Sequence, residues 1–140
     1  MRFLAPPTPA SSMPGGNEAI ARGKQQFSLV GCDDCHTPAI GGVPLFSDLA
    51  LHKMGPGLAD GIQQGLAAGD EFRTAPLWGL GQRIFFLHDG RTSDLLQVIL
   101  EHASDGNGVY PLSEATQVVK NFSRLAEIDK QDLLDFLRSL

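Results

Sequence analysis

Cys32-Asp33-Asp34-Cys35-His36 constrains this chain more than any other stretch. Its C-x-x-C-H spacing is the attachment signature of c-type haem. Two thiols three positions apart can each bond one vinyl group of the porphyrin. The histidine that follows them then lies under the ring and can bind iron. A chain built this way has to fold around a flat, apolar disc. A C-x-x-C pair can also be a redox dithiol, but that use expects a βαβ context, and these surroundings are not strand-rich. A structural zinc site wants four Cys or His ligands, usually from a second paired motif. The chain has only these two cysteines.

Composition narrows the choice. A length of 140 residues fits one domain, and 42% hydrophobic content suffices for a core. The net charge of −5, without a basic tract, argues against nucleic acid as a partner and hints at a basic docking partner. No apolar run approaches the ~18 residues that a membrane span needs. Met1-Arg2-Phe3-Leu4 is followed at once by Ala5-Pro6-Pro7, which leaves no apolar core for a signal peptide. Haem attachment to C-x-x-C-H normally takes place outside the cytoplasm. The expected location is therefore the periplasm, with the export signal outside this sequence.

Periodicity predicts a mostly helical chain. Residues 1–16, with four of the nine prolines, read as an extended arm or linker. A helix is expected from Asn17, an N-cap, to about Ser28, with Ile20, Gly23 and Phe27 on one face. Residues 37–70 are rich in Gly and Pro and read as a long loop with short helical turns, ordered by the haem they would wrap. A short turn or helix follows at Pro76-Leu77-Trp78-Gly79-Leu80. Further helices are expected from Ser93 to Ala103, capped by Thr92 or Ser93, then over 112–124, then from Asp129 to Leu140. Leu133, Phe136, Leu137 and Leu140 should face inward. The resulting expectation is an all-α, cytochrome c-like haem domain with long loops, spanning 17–140. In such a domain a helix just ahead of the haem motif crosses the C-terminal helix.

Four further stretches carry a resemblance. They are Phe46-Ser47-Asp48-Leu49-Ala50-Leu51-His52-Lys53-Met54-Gly55, Leu58-Ala59-Asp60-Gly61, Phe72-Arg73-Thr74-Ala75-Pro76-Leu77-Trp78-Gly79-Leu80-Gly81 and His88-Asp89-Gly90-Arg91. Together, and in this order, they resemble the bacterial di-haem oxidoreductases often labelled thiol oxidoreductase-like. That family is related to the di-haem cytochrome c peroxidases and to the di-haem enzyme that matures a tryptophan-derived quinone cofactor. Its members carry two C-x-x-C-H motifs, whereas this chain has one. The resemblance therefore implies the C-terminal haem domain of a longer oxidoreductase, holding the electron-entry haem. Its implied partners are the N-terminal haem domain of the same protein and a small electron-donor protein. Catalysis would belong to the other haem. The chain departs from the family at Lys53, where an acidic residue is common, and at Ser113-Glu114-Ala115, where Gly-Glu-Ala is usual. The related peroxidases bind calcium just before their His-Asp-Gly motif. Arg83-Ile84-Phe85-Phe86 lacks the Thr and Pro of that segment, so calcium is not expected.

His36 is the expected proximal iron ligand, with Cys32 and Cys35 as the thioether anchors. Haem iron also takes a sixth ligand such as Met or His. The candidates are His52, Met54, His88 and His102. In the related peroxidases that ligand lies fourteen residues after the His of His-Asp-Gly, which here is His102. Leu95, Ile99 and His102 also share a helix face. His102 is therefore the expected distal ligand and Met54 the alternative. His88 and Arg91 resemble the family's haem-edge residues, with Arg73 and Trp78 as further candidates for that rim; an Arg supplies a planar fork for a propionate. His52 would brace the loop around Gly55. Two other functions are compatible with the motif. One is a free-standing monohaem cytochrome c that only carries electrons; the other is a haem-free domain with a Cys32/Cys35 dithiol.

Overall fold

The structure, a computed structural model, describes residues 16–140. The chain divides into two compact units. Among the described residues, the first comprises 16–48, 75–84 and 125–140, and the second 49–74 and 85–124. The fold is mostly helical, with one two-stranded sheet and long loops. The expected arm over 1–16 lies outside the described residues except for Gly16, which begins the first helix.

The first unit is built on α1 (Gly16–Val30) and α5 (Glu127–Arg138). α1 buries Ala19, Gly23, Phe27 and Val30, which recur every three or four residues and so form one stripe. α5 answers with Leu133, Phe136 and Leu137, all buried. Acidic Glu127 and Asp129 sit in its first turn and Arg138 in its last, which complements the helix dipole. The two helices touch backbone to backbone at Gly23, where an added Cβ would lie 1.9 Å from the Asp132 carbonyl oxygen. Beside that contact Arg22 donates to both carboxylate oxygens of the buried Asp132, at 2.6 and 3.1 Å. Phe27, Phe46 and Phe136 pack edge to face with centroids 5.4–6.2 Å apart. Such pairs add about 0.5–1.5 kcal/mol beyond their burial. A second close approach joins Gly81, in a 3-10 turn over Leu80–Gln82, to the Arg138 carbonyl.

The second unit has shorter elements. β1 (Leu51–Lys53) and β2 (Glu71–Arg73) pair antiparallel with His52 opposite Phe72. β1 falls within 37–70, the stretch read as a long loop with short helical turns, and β2 begins just beyond it. Three residues per strand are too few for period-2 alternation to stand out. α2 (Gly55–Leu58) follows β1, then α3 (Leu95–Glu101) and α4 (Thr116–Ser123). The cap of α3 differs from expectation. Asp94 is the N-cap, and its carboxylate accepts from the Leu96 and Gln97 N–H groups. Thr92, expected to cap, instead accepts from the Asp94 N–H and donates to Gln97. No helix among the described residues is long and apolar enough to cross a membrane.

Candidate haem-binding residues

Gly31, in a left-handed conformation at φ 98°, turns the chain out of α1. A 3-10 turn over Cys32–Asp34 then carries the motif, and the His36 N–H closes it on the Cys32 carbonyl at 2.9 Å. Cys32 and Cys35 are not joined in a disulfide. Burial, reinforced by Asp33 and Asp34, pushes the Cys32 thiol up to about 12. A redox dithiol works through a lowered pKa, opposite in direction to this shift. A thiol that ends as a thioether has no such requirement.

The His36 ring is held by Nδ1, 3.0 Å from the Phe46 carbonyl oxygen. A carbonyl only accepts, so Nδ1 carries a proton. Phe46 adopts φ 51°, which is rare for a side chain of its size. Neighbouring pairings fix the segment: Phe46 N–H to Pro38, Ser47 N–H to Thr37 and Asp48 N–H to Cys35. Phe27 packs against the imidazole with centroids 6.4 Å apart. An oriented histidine whose Nδ1 bonds a backbone carbonyl is the usual form of an Nε2 metal ligand. Trp78, in the same unit, is half-buried next to Gly79, whose N–H donates to the Leu140 carbonyl.

In the second unit His102 is the C-cap of α3. Its own N–H turns back to Ile99, and its ring Nδ1 donates to the Val98 carbonyl at 2.7 Å. Burial holds the ring's pKa below the ordinary histidine value, only partly offset by that bond. The His102 ring is therefore kept neutral, with its proton on Nδ1 and its lone pair on Nε2. Met54 is buried, and its N–H donates to the Asp70 carbonyl.

The remaining candidates are engaged locally. The Phe86–Thr92 bridge closes the His88–Arg91 loop, in which Leu87 takes φ 68°. His88 stacks on Phe72, centroids 4.4 Å apart, and its Nε2 lies 3.9 Å from Asp60. Arg91 pairs with Asp89 at 2.7 Å and Glu101 at 3.5 Å and donates to the Gly57 carbonyl. Its charge is thus already balanced within the loop. Arg73 donates to the Leu49 carbonyl. His52 Nδ1 lies 2.8 Å from Glu114, which also accepts from the Lys53 N–H, so His52 braces β1 rather than Gly55 itself. The expected candidates therefore gather as Cys32, Cys35, His36 and Trp78 in one unit and His52, Met54, Arg73, His88, Arg91 and His102 in the other.

Sequence reasoning missed the partners that aim these rings. The Phe46 and Val98 carbonyls leave no side-chain signature. Ser113 and Glu114 were visible as part of a departure from the family pattern, but only the fold shows what they hold.

The model of the family described as "di-haem oxidoreductase, putative peroxidase" matches residues 6–140. The chain belongs to this family. No curated protein and no solved structure matches it.

Proposed function

We propose that this chain is a cytochrome c-like electron-transfer domain of a di-haem oxidoreductase, carrying one covalent haem c. Cys32 and Cys35 would hold the haem through two thioethers. His36 and His102 would supply the iron's two histidine ligands. The observation that carries the reading is the His36 ring, directly behind two cysteines outside any disulfide, with its Nδ1 tied to the Phe46 carbonyl. His102 has the same polarity through Val98. Haem iron would supply one-electron redox chemistry. The protein's part would be to hold the two imidazoles by their Nδ1 protons, His36 on the Phe46 carbonyl and His102 on the Val98 carbonyl. Two histidines set a lower potential than His and Met, which suits relay of electrons over catalysis. The family is di-haem and this chain has one attachment motif, so the second haem domain belongs to another part of the protein and is the natural partner. A small electron-donor protein would supply the electrons, and the compartment would be the periplasm, where c-type attachment takes place.

The test is to express the chain with haem-attachment machinery and record spectra. Haem should resist acid-solvent extraction and give a haemochrome of the two-thioether type. The ferric protein should be low-spin, and His102→Ala should convert it to high-spin. Extractable haem would overturn the covalent reading. A low-spin His102→Ala variant would return the sixth position to Met54, which His102→Ala/Met54→Leu would confirm.

A further inference from the structure

We infer that Ser113 is the positioning residue for His102; the inference rests on His102 being the sixth ligand. His102 ends α3, and the carbonyl of a helix-terminal residue has no donor within its own helix. Here the Ser113 hydroxyl donates to it at 2.6 Å. Ser113 is almost completely buried, so water does not compete for that bond. Its oxygen also accepts from the Ala115 N–H at 3.2 Å, which fixes the hydroxyl's direction. The Ser113 N–H donates to the Ser104 carbonyl at 2.9 Å, closing the excursion 105–112 into a loop with its two ends stitched together.

Ser113 is itself held from the next residue. Glu114 accepts from the Lys53 N–H, and the Glu114 N–H donates to the Lys53 carbonyl at 2.9 Å, so the segment is pinned to β1 on both polarities. Gly55 lets Ser113 approach: an added Cβ there would lie 3.1 Å from the Ser113 nitrogen. His102 is therefore fixed at two points, its ring by Val98 inside a helix of seven residues and its backbone by Ser113 outside it. The first fixes the ring's rotation, but a helix this short can fray at its last turn and carry ring and carbonyl together. Glu101 of that turn reaches Arg91 through its side chain at 3.5 Å, whereas the Ser113 bond holds the backbone of His102 itself. Groups behind a metal ligand tune its hold on the metal in this way.

The experiment uses the haem-loaded chain and titrates imidazole, which competes with His102 for the ferric sixth position. In Ser113→Ala, imidazole should bind on the order of 10-fold more tightly than in the unmodified chain, with a larger high-spin fraction before it is added. Ser113→Cys keeps the volume with a weaker donor and should shift the same way by less; it also serves if Ser113→Ala does not fold. Val119→Ala, a buried truncation in α4, should lower the melting temperature and leave imidazole affinity unchanged. Serine variants that titrate like the unmodified chain, or an equal shift in Val119→Ala, would overturn the inference. His102→Ala separates the two failures. If it turns high-spin while Ser113→Ala titrates normally, the ligand stands and the brace falls. If it stays low-spin, the ligand reading itself has failed.

Discussion

The two units place their histidines by different physics. In the first, His36 follows a long helix packed on another, and its ring rests against the Phe27 side chain of that core. The scaffold is apolar interlock: Phe27, Phe46, Phe136, Leu133 and a glycine where two backbones meet. In the second, His102 ends a helix of seven residues among strands of three and a helix of four. Position there depends on single polar atoms: Asp94 at the start of α3, Ser113 at its end, Glu114 against β1. The first unit should therefore be sensitive to added volume and the second to the loss of one hydrogen bond.

The sharpest test of the first half is Gly23→Ala. Its methyl would sit 1.9 Å from the Asp132 carbonyl oxygen and 2.8 Å from the Phe136 Cβ. Neither is the far end of a flexible side chain, so the helices have to separate. Overpacking of this kind costs about 3 kcal/mol, or roughly a 10 °C fall in melting temperature for a domain of this size. Thermal unfolding followed by circular dichroism reads it directly. A melting temperature unchanged within about 2 °C would mean that the helix contact is not what holds this unit.

The matching test of the second half is Asp94→Ala. It removes the acceptor for the Leu96 and Gln97 N–H groups without touching an apolar contact. Losing an N-cap costs about 1 kcal/mol, a fall of a few degrees in melting temperature. Amide exchange should accelerate at Leu96 and Gln97 and at the far end of α3, while α1 keeps its protection. Equal loss of protection in both units would erase the distinction between them.

The same contrast explains what could be read from the chain. α1 and α5 show themselves as apolar stripes, and Gly23 and Phe27 stand out on one face of the first. C-x-x-C-H pointed to haem because its spacing reads as an attachment motif, and the chain belongs to a di-haem family. The second unit gave weaker signals. Its strands are too short for alternation to emerge, and α3 starts at Leu95, two residues after the expected Ser93, because three consecutive residues, Thr92, Ser93 and Asp94, can all cap. His102 was reachable only by spacing and by family resemblance. The partners that aim it, the Val98 carbonyl and Ser113, are choices of backbone path, and a sequence does not display them. Phe46 is the extreme case, an aromatic residue at φ 51° where a glycine would have been the usual clue.

The smallest expected effect concerns the Glu114 anchor and its dependence on pH. The hydrogen bond with His52, then that from the Lys53 N–H, holds the Glu114 carboxyl below its ordinary value of 4.5, against a smaller opposing contribution from burial. A carboxyl depressed in the folded state stabilises above its unfolded pKa, and that stabilisation is lost as pH falls through the folded value. The side chain is half exposed, so solvent screening limits the effect to well under ~1 kcal/mol. Glu114→Gln keeps an acceptor oxygen but discards the charge. Its urea midpoint should fall slightly below that of the unmodified chain at about pH 6, and the gap should close towards about pH 3 as the native carboxyl protonates. A gap that stays constant across that range would show that Glu114 acts on β1 by shape alone. The polar web of the second unit would then owe nothing at this point to charge, and its contrast with the first unit would narrow to neutral hydrogen bonds against packed volume.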